Sequence, residues 1–85
     1  MKKPATAAEK RHMGRVAALG CLVHHGTPAV IHHLQCVSPR DNMIVIPLCP
    51  FCHTGTFSIH STKEQFLSIY GSEMKLLADT LRLLA

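Results

Sequence analysis

The sequence predicts a small α+β domain stapled by metal. Three observations carry that expectation: a length of only 85 residues, four Cys and seven His among them, and two short β-branched runs flanked by helical patterns. A chain this short buries a modest core and often relies on a metal or disulfides for stability. With no Trp, one Tyr and three Phe, large aromatic anchors are scarce. The apolar share of 47% is that of a folded chain, which sets disorder aside as the default.

The elements follow in order. Pro4 breaks the first few residues, and Thr6 with Glu9 forms a capping-box pattern. That pattern opens a helix running to about Leu19, with Gly20 as its stop. Lys10, Arg11 and Arg15 lie between its apolar positions and face solvent or an anionic partner. Cys21 to His24 reads as a tight turn, and His25 to Pro28 as a loop. Ala29–Leu34 is the first strand, and the Ser-Pro-Arg-Asp cluster before Asn42 is a turn. Met43–Ile46 is the second strand, close enough to pair with the first as an antiparallel hairpin. A short helix opens at Pro47 and is limited by Gly55. Ser61 and Glu64 repeat the capping-box pattern and launch a helix to Tyr70, stopped by Gly71. Ser72 caps a last helix to Leu84, in which Met74, Leu77, Leu81 and Leu84 recur at helical spacing beside Leu76 and Leu83. This stripe reads as core or dimer seam. A basic N-terminal segment, residues 1–11, thus runs into the first helix, and residues 12–85 form a single domain.

Composition bounds the setting. No run approaches the roughly 20 apolar residues that span a membrane. The N-terminal stretch is basic but lacks an apolar signal-peptide region. A reducing, intracellular compartment is therefore expected, where thiols stay free for metal rather than pairing as disulfides. The net charge of +4 suits an anionic partner, although a solubilising surface has the same charge.

Two knuckles share one spacing, Cys21-x-x-His24 and Cys49-x-x-Cys52. Four such ligands close a tetrahedron around zinc, and a closed site is structural. Because the knuckles flank the hairpin, one ion would tie its start to its end. His25 can take the place of His24, and Cys36 can enter a four-Cys set. If it does not, Cys36 is a spare thiol, a small hydrophobe at the hairpin edge.

A second group is histidine alone. His32 and His33 are adjacent on a strand, so their rings point to opposite faces, yet near a strand end both can flank one phosphate. His53 follows Cys52 directly, and His60 lies seven residues on. Three imidazoles around a divalent ion leave positions open for phosphate oxygens and water, and a fourth can take a proton from that water. The rival reading treats the four as unrelated surface or core histidines.

The stretch Ile31-His32-His33-Leu34, followed by Ile46-Pro47-Leu48-Cys49-x-x-Cys52-His53, resembles the HNH endonucleases. Met13-Gly-Arg-Val-Ala-Ala-Leu-Gly-Cys21, the downstream Ile59-His60, Phe66 and Tyr70-Gly71 extend the likeness to the phage Ref recombination-enhancement nucleases, over about residues 12 to 82. The resemblance implies a ββα-metal (His-Me finger) core with zinc knuckles and flanking N- and C-terminal helices. It implies His32, His53 and His60 as ligands of a catalytic Mg²⁺, Mn²⁺ or Zn²⁺, and His33 as the base that activates water. The middle Asn of that pattern stands five residues before the second knuckle. Ile44 holds this place here, and Asn42, two residues earlier, takes over orienting the base, with Asp41 as its neighbour and alternative.

The expected function is thus metal-dependent endonucleolytic hydrolysis of DNA, with Lys10, Arg11, Arg15, Arg40 and Lys63 contacting the backbone. The resemblance further implies phage recombination, a RecA-type filament as partner, and the cytoplasm of a bacterial host. The rivals are a non-catalytic zinc module that grips nucleic acid or protein, and a disulfide-stabilised structural protein.

Overall fold

In the computed structural model, which describes residues 4–85, Thr6 caps helix α1 (Ala7–Ala18). Both arms of the capping box form: Glu9 N donates to Thr6 Oγ1 at 3.1 Å, and Thr6 N donates to Glu9 Oε1 at 2.8 Å. Residues 1–3, the first part of the expected basic segment, lie outside the described residues. Gly20 ends the helix in the left-handed region at φ 78°, with its N–H on the Ala17 carbonyl. A Cβ at Gly20 would also press on the Thr27 carbonyl at 3.3 Å, so the turn into the first knuckle needs glycine twice over.

Strand β1 (Val30–His33) pairs antiparallel with β2 (Val45–Leu48), with Val30 opposite Leu48 and His33 opposite Val45. The second strand starts two residues later than its β-branched run predicts. Asp41 explains the shift: its side chain accepts from Met43 N and its carbonyl from Ile44 N, so residues 41–44 close a turn before pairing begins. Pro47 fits inside β2 because its carbonyl points to the outer edge, where it accepts from Leu22 N at 3.2 Å. The N–H that proline lacks would lie on that same outer edge, so no ladder bond is lost.

Helix α2 (Pro50–Thr54) begins three residues after Pro47, with Pro50 in its first turn, where a missing N–H costs nothing. Its end is set by Gly55, where any Cβ would overlap the Phe51 carbonyl. Helix α3 (Lys63–Tyr70) does not use the Ser61–Glu64 capping box: Thr62 is its N-cap, without a side-chain bond. Ser61 Oγ instead donates to the Gly55 carbonyl at 2.6 Å, and Thr62 Oγ1 accepts from Ser58 N. Both hydroxyls are spent on folding the loop before α3.

Helix α4 (Glu73–Leu84) is capped by Ser72, whose Oγ accepts from Lys75 N. Its buried line is Glu73, Leu76, Leu77 and Thr80, whereas Met74 and Leu81 are exposed. The leucine stripe read from sequence therefore straddles two faces. The helix turns about one position further, because Glu73 and Thr80 find internal partners: Thr80 Oγ1 donates to the Leu76 carbonyl at 2.9 Å. Phe66 is wholly buried among Leu34, Ile46, Leu48, Ile59, Leu76 and Leu77. Arg15 Nη2 donates to the Leu84 carbonyl, joining α1 to the end of α4.

Truncating Phe66 to alanine is expected to cost about 3–5 kcal/mol of stability, the range for removing a buried Phe. Chemical denaturation at a fixed zinc concentration measures it; a loss below about 1 kcal/mol would place the core elsewhere.

Candidate metal centres

Gly20 turns the chain so that Cys21 enters the core, and the N-terminus of α2 brings Cys49 and Cys52 to meet it. Cys21, His24, Cys49 and Cys52 each offer a ligand atom, all within 4.8 Å of one another. His24 Nδ1 lies 3.4 Å from Cys49 Sγ and 3.3 Å from Cys52 Sγ. A nitrogen and a sulfur at two corners of a zinc tetrahedron stand about 3.6 Å apart, so this set can hold a structural zinc. Val23 N and His24 N both donate to Cys21 Sγ. His24, not His25, belongs to the cluster. Cys36 is exposed and outside it, on the turn after β1, and all four cysteines are free. Burial pushes the Cys49 thiol up, but hydrogen bonds with His24 and its sulfur neighbours outweigh it and bring Cys49 down to about 6. Burial and the adjacent sulfurs push Cys52 up. One thiolate among the three suppresses the next, which is the repulsion a divalent cation removes.

The second cluster joins His32, His53 and His60, again with ligand atoms within 4.8 Å. Each comes from a different element: β1, α2, and the loop that Gly55 allows to fold back. His53 Nε2 and His60 Nε2 are 3.1 Å apart, close to the ~3.3 Å expected of two nitrogens on one tetrahedral ion. The three rings meet edge to face, with centroids 4.7 Å (His53–His60), 5.0 Å (His32–His60) and 5.3 Å (His32–His53) apart. His32 is 1% exposed, and its Nε2 donates to Glu73 Oε2 at 2.8 Å. Its Nδ1 is buried with no hydrogen-bond partner. A buried orphan acceptor is costly and asks for an explanation; a lone pair aimed at a cation is one. Burial lowers the pKa of His32 below the ordinary 6.5, against the pull of Glu73, and burial with the neighbouring imidazoles lowers His53. Both rings are held in the neutral form that binds metal.

Beside this trio, His33 Nε2 meets Asn42 Oδ1 at 2.8 Å. An amide oxygen only accepts, so Nε2 is the donor in this contact. One open cleft is lined by His32, His33, Gln35, Arg40, His53 and His60. At its rim Gln35 Nε2 lies 3.1 Å from His60 Nδ1, and Lys63 Nζ donates to Gln35 Oε1 at 2.9 Å. Arg40 and Lys63 thus stand near the trio. Lys10 and Arg11 are exposed on α1 and do not line the cleft, and Arg15 is engaged with Leu84.

Sequence reasoning missed Glu73 and Gln35. Glu73 looks like an ordinary acidic residue in the first turn of a capped helix, and nothing local marks its 41-residue reach to His32. Gln35 reads as one polar loop residue among several.

Two outcomes are expected. His24→Ala should lose the tight zinc while His25→Ala keeps one ion per chain by elemental analysis, the reverse result reassigning the ligand. Binding of a second divalent ion should weaken as pH falls below 6.5, since imidazoles must be neutral to bind. Because burial lowers His32 and His53, their share of that fall comes at lower pH than for free imidazoles. Calorimetric Mn²⁺ titrations between about pH 5.5 and 7.5 measure the slope.

No protein-family model, curated protein or solved structure matches this chain.

Proposed function

We propose that the protein is a metal-dependent endonuclease of the HNH kind, hydrolysing phosphodiester bonds in DNA. One observation carries the reading: three imidazoles converge beside a fourth, His33, whose ring is braced by Asn42 within the same cleft. The element order, an antiparallel hairpin followed by the short helix α2, supports this proposal.

In this proposal His32, His53 and His60 hold the catalytic ion, and Cys21, His24, Cys49 and Cys52 hold a structural zinc. The catalytic ion, Mg²⁺, Mn²⁺ or Zn²⁺, supplies Lewis-acid stabilisation of phosphoryl and leaving oxygens when bound. His33 does the proton chemistry: its free Nδ1 takes a proton from the water that attacks phosphorus, as the P–O3′ bond breaks. Asn42 holds the tautomer that leaves Nδ1 available. Arg40 and Lys63 supply positive charge to the phosphates beside the cleft, which makes binding salt-sensitive and nearly sequence-independent. Arg15 is engaged with the Leu84 carbonyl, which directs its side chain to the α1–α4 junction.

A RecA-type filament as partner, a role in phage recombination and a site of action in the bacterial cytoplasm extend this reading. They are tested with it. Cleavage of single- and double-stranded DNA is measured with Mg²⁺ or Mn²⁺, with and without the filament. His33→Ala should keep its zinc and bind DNA but cut at least about 10²-fold more slowly, the usual contribution of a general base. Unchanged cutting by that variant would sink the assignment of His33. No cutting by the wild type under any condition, with zinc and DNA both bound, would favour a non-catalytic zinc module.

A further inference from the structure

The pairing of His32 with Glu73 goes beyond what a helix-capping acid needs. Glu73 is 4% exposed, and its carboxylate accepts three hydrogen bonds: His32 Nε2 at 2.8 Å, Gln35 N at 3.1 Å and Cys36 N at 3.1 Å. It therefore grips both the histidine and the two backbone amides where the chain leaves β1. The carboxylate sits in the first turn of α4, where the helix dipole favours negative charge.

We propose that Glu73 is a positioning residue of the histidine centre: it fixes His32 as the Nε2–H tautomer, so that Nδ1 alone faces the ion. The proposal rests on the reading that His32, His53 and His60 bind a divalent cation. Its geometric basis is that both Glu73 oxygens accept backbone N–H groups, Oε2 from Gln35 and Oε1 from Cys36, so the His32 nitrogen against Oε2 is the one that donates. The other nitrogen is then a bare lone pair, and that is the atom left without a partner in the buried site. A carboxylate on the far nitrogen also raises the ligand strength of the near one and stops the ring from rotating. Through this contact α4, the last element of the chain, becomes part of the site, although none of its residues is a ligand.

The test uses the full chain with its zinc bound. Long-range proton–nitrogen NMR spectra of the wild type report which His32 nitrogen carries hydrogen. Mn²⁺ titration then compares wild type with Glu73→Gln, a change that keeps the volume but places an NH₂ group against a donor. The expected results are an Nε2–H His32 in the wild type and a roughly 10- to 100-fold weaker Mn²⁺ affinity in the variant, with zinc content unchanged. A purely structural role for Glu73 would lower the melting temperature but leave the Mn²⁺ affinity of the folded variant as it was, and that result overturns the proposal. So does an Nδ1–H His32 in the wild type, which needs no variant to fold. A wild type that binds no second ion instead removes the metal centre itself, and the proposal with it.

Discussion

The antiparallel register of β1 on β2 is the constraint on which the rest of the site depends. His32 stands opposite Ile46, and His33 opposite Val45. Residues directly opposite share a face. Ile46 and Leu48 belong to the core around Phe66, so His32 is carried to that side and buried, while His33 goes to the other. A slip of one residue would exchange the two rings, sending the hydrogen-bonded partner of Glu73 out and burying the ring that Asn42 holds. The β1 side opposes that slip, because His32 and Leu34 are buried while His33 between them is only half-buried.

The two clusters are linked through a single short helix. Helix α2 carries Cys52 into the first and His53 into the second, and these residues are neighbours in the chain. Whatever orders the thiol cluster therefore also orients one imidazole of the trio. The Ile59 amide donates to the Cys52 carbonyl at 2.9 Å, which folds the following loop back on α2 and returns His60 to the trio. This loop brings together two histidines that no single helix carries, because Gly55 ends α2 between them.

Buried polar groups carry the remaining specification. His32, Ser58, Glu73 and Thr80 are the buried polar or charged residues among those described, and each makes at least one side-chain hydrogen bond. Ser58 Oγ accepts from Ser61 N, and Thr80 answers its own helix. Glu73 alone bridges elements distant in sequence, joining α4 to the end of β1. In a low-dielectric interior such a paired charge is costly to break, so the pairing sets how α4 lies against the hairpin.

The helix boundaries at Thr6, Gly20, Gly71 and Ser72 and the antiparallel pairing of the hairpin were determined by sequence alone, because caps, stops and β-branched runs act over a few residues. So was the Cys49-x-x-Cys52 knuckle of the zinc-type cluster, since a two-residue spacing brings both of its ligands to one turn. The start of β2 was not legible, because the Asp41 turn competes with strand pairing for residues 43 and 44. Nor was the buried face of α4, where leucine spacing fitted two faces and a charged residue chose between them. The choice of His24 over His25, the meeting of His32, His53 and His60, and the hold of Glu73 on His32 were decided only by the tertiary structure. They depend on where separate elements come to rest against one another, and spacing along a chain carries no information about that once it exceeds a turn.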